Sequence, residues 1–203
     1  MSAGVAKHTD GRAGGAGRGV PLRIYITGFM GSGKSTVGPL LADALGYEFV
    51  DLDAVIEAKE GQTIPGIFRQ RGEQEFRAIE RREVTLLAAR EKIVVATGGG
   101  ALTSPATLSA LRASGILVYL RVPVEALFER LRGVKGRPMI ADGSGGALGD
   151  DDLRARISGL LDARERLYLE ADITVDAAGQ TPGETAAAIR AALTQGQARG
   201  RRL

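Results

Sequence analysis

Gly28-Phe29-Met30-Gly31-Ser32-Gly33-Lys34-Ser35 decides the reading of this chain. The six residues before it, Leu22 to Thr27, are apolar and β-branched enough for a buried strand, and Thr36 to Leu45 after it read as a helix closed by Gly46. That order of strand, glycine turn and helix lets consecutive backbone N–H groups and the positive end of the helix dipole converge on an anion. The spacing G-x-x-x-x-G-K-[ST] adds a lysine and a hydroxyl at fixed positions, which makes the stretch a phosphate-binding P-loop. Gly31, Ser32, Gly33, Lys34, Ser35 and Thr36 are expected to hold nucleotide phosphates. Lys34 should reach the β- and γ-phosphates, and Ser35 should offer its hydroxyl to Mg²⁺. Pro39 lies near enough to the helix start to be tolerated at a reduced cost.

At 203 residues the chain can bury one substantial core, so a single domain is expected. Hydrophobic residues at 44% and charged ones at 25% are ordinary for a globular protein. Aromatic residues make up only 4%, with no Trp, which leaves little with which to stack nucleic-acid bases, and no nucleic-acid partner is expected. The net charge of +3 fits an anionic small ligand or a solvated tail. There is no cysteine, so disulfides and thiolate metal sites are excluded and a reducing cytoplasm suffices. No apolar run is long enough to span a bilayer, and the N-terminus lacks a hydrophobic signal core. Residues 1–20 are Gly- and Ala-rich without periodicity and read as a disordered tail, which makes its His8 a solvated side chain. The folded domain is expected over residues 21–195, followed by a basic tail at 196–203.

Further along, Glu48-Phe49-Val50 reads as a second strand that runs into Asp51-Leu52-Asp53. Alternation puts both acids on one side at the carboxyl end of a parallel strand, where open α/β sheets place ligands. Capping of the helix Ala54 to Lys59 would be another use for Asp53. A short helix around Ile67-Phe68 is punctuated by Gly72, and a longer one follows over Glu73 to Arg90. On it Arg77 and Glu80 share a side, a spacing that a plain surface salt bridge would also explain. Ile93 to Thr97 is a third strand, and Gly98-Gly99-Gly100 after it allow backbone to approach a ligand closely. Ser104-Pro105 opens a helix, Ile116 to Leu120 is a fourth strand, and a helix ending in Glu129-Arg130-Leu131-Arg132 follows. The polar, glycine-rich stretch at about 133–152 reads as a lid, with Arg137-Pro138 near its start. A helix carrying Arg164, Arg166 and Tyr168, a fifth strand at Asp172 to Val175, and a helix opened by the capping box Thr181-Pro182-Gly183-Glu184 complete the chain. Strands separated by helices throughout predict an α/β fold of three layers, α/β/α, around a five-stranded parallel sheet of the P-loop NTPase type.

From Arg23 to Leu193 the chain resembles shikimate kinase, in the nucleoside-monophosphate-kinase-like group of P-loop enzymes. The resemblance rests on the P-loop, Asp51-x-Asp53, Phe76-Arg77-x-x-Glu80, Gly98-Gly99-Gly100, Arg137-Pro138 and Arg164-x-x-x-Tyr168, which agree in order and spacing. It implies that Asp51 supports Mg²⁺ through water beside Ser35, and that Asp53 holds the substrate hydroxyls and takes the reacting proton. It also implies that Arg77, Arg164 and a glycine N–H at Gly99 grip the substrate carboxylate, with Glu80, Gly98 and Gly100 completing that site. Arg137 would contact the phosphates from the lid, and Arg130 would lie near the adenine.

The expected activity is therefore ATP-dependent phosphorylation of the 3-hydroxyl of shikimate by a cytoplasmic monomer, with Mg²⁺ as cofactor and ATP as co-substrate. Catalysis would fall to Lys34, Asp53 and Arg137. Two alternatives stay open at this point: a kinase of another small polyol acid such as gluconate, and a ligand sensor on the same fold. The chain departs from the family's pattern at Arg166, where proline is usual, and in the longer stretch between Arg137 and Arg164.

Overall fold

Residues 20–134, 138–140 and 148–195 are described by the computed structural model. The expected tails, apart from Val20, and Arg137 with the glycine run Gly143 to Gly146 lie outside the described residues. Five strands, β1 (Arg23–Thr27), β2 (Glu48–Asp51), β3 (Ile93–Ala96), β4 (Ile116–Arg121) and β5 (Ile173–Asp176), pair in parallel in the order β2-β3-β1-β4-β5. The central strand β1 sets Ile24 opposite Val94 on β3 and opposite Ile116 on β4.

Alternation along the strands divides the core into two layers. Ile24, Ile26, Val118 and Leu120 face α1 (Lys34–Leu45) and α7 (Pro182–Thr194), where Val37, Leu41, Ile189 and Leu193 meet them. Tyr25, Val95, Leu117 and Tyr119 face the other way. They are covered by α2 (Leu52–Glu60), α3 (Ile64–Ala88), α4 (Pro105–Ser114), α5 (Val124–Leu131) and α6 (Asp150–Tyr168), through Ile56, Phe76, Leu111, Phe128 and Ile157. Burial on both faces is why these strands are near-continuous apolar runs in the sequence.

The helix boundaries follow their capping chemistry. Ser104 accepts from the Thr107 N–H with Pro105 at the first helical position, and Thr181 and Glu184 form the reciprocal box that opens α7. Gly72, at φ 79°, breaks α3 into the short and long arms expected from its position. One local reading is corrected. The acid that caps α2 is Asp51, whose Oδ1 accepts from the N–H groups of Asp53 (3.1 Å) and Ala54 (3.3 Å). The cause is that β2 ends at Asp51 and α2 begins at Leu52 with no intervening loop, so Asp53 belongs to the first helical turn. The two acids share a side through this strand-to-helix junction and not through strand alternation.

The turns after β1, β2, β3 and β5 all emerge at the carboxyl edge of the sheet, and that edge is where the candidate residues gather. The opposite edge is tied by Arg23, which donates to the carbonyls of Ser114 (2.6 Å) and Arg90 (3.0 Å). Gly115 is wedged there in extended backbone, and a Cβ on it would lie 2.6 Å from the Arg23 carbonyl and 2.7 Å from the Tyr25 ring. Gly115→Ala should therefore destabilise the fold by about 1–3 kcal/mol through overpacking. Gly159→Ala, in the exposed interior of α6 with open space around it, should stabilise by about 0.5–1 kcal/mol. Urea midpoints at unchanged m-value check both signs.

Candidate active site

A cavity of about 510 Å³ opens at the carboxyl edge. Its floor is the turn from Met30 to Val37, its sides are Asp51, Asp53, Thr97 and Gly99, and its far end is Arg130 with Ala177, Gln180, Pro182 and Thr185. Gly33 caps α1 at φ 100°, a conformation that glycine reaches without strain and that brings the loop straight into the helix. Lys34 folds back over the loop, and its Nζ donates to the carbonyls of Gly28 (2.8 Å) and Phe29 (3.0 Å). Ser32 is buried, and its Oγ has no hydrogen-bond partner among the described residues. A buried hydroxyl of that kind is satisfied by a ligand that offers oxygen. Arg130, reaching in from α5, donates to Gly31 O (3.1 Å) and Ser32 O (3.3 Å) and so braces the loop from its outer side.

Beside the loop, Ser35 Oγ donates to Asp51 Oδ2 at 2.7 Å. With its Oδ1 engaged in capping α2, the Asp51 carboxylate is fixed in direction and presents one oxygen next to a hydroxyl. Among the described residues no group of three or more His, Cys, Asp or Glu side chains could hold a metal. One hydroxyl and one carboxylate match Mg²⁺, which keeps most of its waters and takes phosphate oxygens in place of a protein cage.

The third part of the site is built on the triple-glycine turn. Asp53 packs so closely on Gly98 that a Cβ there would lie 2.7 Å from its Oδ1. Arg77 packs on Gly100 in the same way, with Nη2 at 2.9 Å from the position of a Cβ. Arg77 Nη1 also donates to Glu80 Oε2 at 2.9 Å, and the Glu80 side chain is only 1% exposed, so the pair is no surface salt bridge. Tyr168, at the end of α6, donates its hydroxyl to Gly99 O at 2.5 Å, and Arg164 one turn earlier interacts with the same hydroxyl. Burial and the neighbouring Asp51 raise the Asp53 carboxyl above its ordinary range, against the lowering pull of Lys34 and Arg77. Glu80 is likewise raised by burial, with Arg77 opposing. A carboxylate held in this state is a better proton acceptor than one in water.

The structure thus brings together Gly31 to Thr36, Arg130, Asp51 and Asp53 around the cavity, and Arg77, Glu80, Gly98, Gly99, Gly100 and Arg164 around the turn beside it. Arg137 lies outside the described residues. Sequence reasoning missed Thr97, whose hydroxyl donates to Ile26 O at 3.2 Å, and the turn after β5 with the start of α7, from Ala177 to Thr185. The available signal was positional: that turn follows the carboxyl end of a parallel strand.

The profile of the Shikimate kinase family matches residues 30–194. A shikimate kinase of Chlorobium chlorochromatii is 45% identical over 165 residues, which cover 81% of this chain and 87% of that protein. One from Halorhodospira halophila is 46% identical over 178 residues, covering 87% and 96%. The structure of shikimate kinase from Acinetobacter baumannii in complex with shikimate superposes with a TM-score of 0.78 at 37% identity, over 86% of this chain and 94% of that one. The P-loop, the paired acids and the triple-glycine turn thus sit in a chain that belongs to the shikimate kinase family.

Proposed function

We propose that the cavity binds ATP along the P-loop and shikimate against the triple-glycine turn, and that the enzyme moves the γ-phosphoryl group to the 3-hydroxyl of shikimate. The products are shikimate 3-phosphate and ADP, a step toward chorismate and the aromatic amino acids. The observation that supports this most is the placing of Asp53. Its desolvated carboxylate stands between the phosphate cradle, where Lys34 acts on it, and the Arg77 end of the glycine turn.

In this reading the 3-hydroxyl oxygen forms the new bond to the γ-phosphorus, the bond from that phosphorus to the β,γ-bridging oxygen breaks, and the hydroxyl proton passes to an Asp53 oxygen. Lys34 leaves the carbonyls of Gly28 and Phe29 for the phosphates, which offer it a charged partner in place of neutral ones. Ser35 and, through water, Asp51 would hold Mg²⁺, whose charge offsets that on the β- and γ-phosphate oxygens. Arg77, Arg164 and the N–H groups of Gly98 to Gly100 hold the substrate carboxylate, and Glu80 keeps Arg77 aimed at it. Arg130 lies by the adenine, and Arg137 completes the phosphate contacts from the lid. Transfer of this kind depends chiefly on position and on charge already in place, which is what a buried, cross-braced site supplies. The reading also takes the protein as a cytoplasmic monomer, and among the described residues no helix is long and apolar enough to cross a membrane.

Release of ADP measured with shikimate, with gluconate and with neither tests the function. Turnover is expected with shikimate alone. Turnover with gluconate would favour the other polyol-acid kinase, and nucleotide binding without turnover on any acceptor would favour the sensor.

Arg77→Ala should raise the KM for shikimate on the order of tenfold to a hundredfold, the range of a charge-assisted hydrogen bond of about 1.5–3 kcal/mol. The KM for ATP should stay within about twofold, since Arg77 is not at the phosphate cradle. A melting curve must accompany the kinetics, because the variant leaves buried Glu80 without its partner. A shikimate KM near wild type in folded protein would place Arg77 outside the substrate site.

Asp53→Asn should lower kcat by about 10²–10⁴-fold, the usual scale for loss of a general base. It should also stabilise the ligand-free protein at neutral pH. Folding raises the Asp53 pKa, so the ionised carboxylate works against the native state above that raised value. This penalty fades as pH falls through the raised value toward the ordinary carboxylate range. Thermal melts across that window should show the variant's advantage shrinking on acidification, and a variant less stable than wild type at neutral pH would contradict it.

A further inference from the structure

Tyr168 stands outside the proposed chemistry, yet its hydroxyl is directed at the part of the site that most needs fixing. Glycine turns are soft, and donors that swing freely hold a carboxylate poorly. The turn here is restrained through its carbonyls. Gly98 O accepts from the Ala101 N–H at 3.0 Å, and Gly99 O accepts from the Tyr168 hydroxyl at 2.5 Å. In a trans peptide the N–H points opposite to the C=O of the same plane, and the described chain contains no cis peptide. Holding Gly98 O therefore sets the direction of the Gly99 N–H, and holding Gly99 O sets that of the Gly100 N–H. Among the described residues neither N–H has an acceptor.

The first restraint is backbone and comes with the helical turn Ala101–Thr103, whereas the second depends on one side chain. That side chain is itself rigid. Tyr168 is 1% exposed, and its ring stacks on Tyr119 of β4 with centroids 5.0 Å apart. Burial raises its pKa, so the hydroxyl keeps the proton that it donates. Arg164, a full turn before it on α6, acts on the same hydroxyl. One oxygen thus links the cation on α6 to the donors that follow β3, two groups far apart in sequence.

We propose that Tyr168 is a positioning residue for the substrate carboxylate: its hydroxyl, held between Arg164 and Gly99 O, locks the N–H groups of the glycine turn and the Arg164 guanidinium into one receptor. This rests on the assignment of Arg77, Arg164 and the glycine N–H groups to the carboxylate. Tyr168 itself touches no reacting atom.

Tyr168→Phe keeps the ring on Tyr119 and removes only the oxygen. It should raise the KM for shikimate about three- to tenfold, the loss that goes with one hydrogen bond. At saturating shikimate, kcat and the KM for ATP should stay near wild type. Calorimetry with a shikimate analogue bearing hydroxymethyl in place of the carboxylate supplies the readout that a merely structural role would not move. Wild type and variant should bind that analogue equally. An unchanged shikimate KM, an equal loss of affinity for the analogue, a parallel fall in kcat and ATP affinity, or a variant that does not melt cooperatively would each overturn the proposal. Arg77→Ala and Arg164→Ala run alongside separate the two levels. If both leave the shikimate KM unchanged, the carboxylate assignment fails; if both raise it and Tyr168→Phe does not, only the role of Tyr168 fails.

Discussion

Charge confined at the carboxyl edge of the sheet governs the rest of this site. Asp53 and Glu80 are both desolvated, Asp53 further raises the Glu80 carboxyl, and Arg77 opposes both shifts. Taking a carboxylate out of water costs several kcal/mol, and a partly buried guanidinium offsets that only with close geometry. The 2.9 Å bond from Arg77 Nη1 to Glu80 supplies such geometry for one acid. Asp53 has Lys34 and Arg77 only as neighbouring charges and has no ion pair of its own among the described residues. The fold therefore pairs one acid closely and leaves the other desolvated without such a partner among the described residues, two environments that differ although the side chains are alike.

That charge arrangement explains the glycines better than flexibility does. Side chains at Gly98 or Gly100 would enter the space of the Asp53 carboxylate or the Arg77 guanidinium. Without those two Cβ atoms the Asp53 carboxylate and the Arg77 guanidinium close on the same short turn from opposite ends, and Tyr168 then fixes what the missing side chains left loose. The same turn passes close to the P-loop, since a Cβ on Gly99 would lie 3.5 Å from both Gly28 O and Met30 N. P-loop and glycine turn are thus packed as one body, so their separation is set by the fold.

Much of this was legible in the sequence because the signals are local. The P-loop, the caps at Ser104 and Thr181, the break at Gly72 and the apolar strands each follow from residues a few positions apart. That Asp51 and not Asp53 caps α2 is not legible, because one residue decides whether a strand ends in a loop or passes directly into a helix, and propensity does not resolve that boundary. Arg77 and Glu80 show a different limit. Their spacing fits a surface pair equally well, and only the tertiary packing of α3, which lies beside α2 and α4, buries Glu80. The contact of Tyr168 with Gly99 joins residues 69 positions apart, and no pattern in a single sequence encodes it.

The connection between α5 and α6 is anchored at points that the described residues show. Its ends are joined by Arg132 and Asp150 at 2.9 Å, but both side chains are about half exposed, and such a pair contributes little. The stronger anchor is Ile140, 5% exposed within the larger core layer; burial of a side chain of that size contributes about 1.5–3 kcal/mol. Arg156 adds a hydrogen bond to the adjacent Met139 carbonyl at 3.0 Å. Closure entropy depends on the span between fixed points and grows only with its logarithm. A point pinned at Met139-Ile140 divides the connection into two shorter spans, so a change of length on one side of the anchor leaves the closure of the other side as it was.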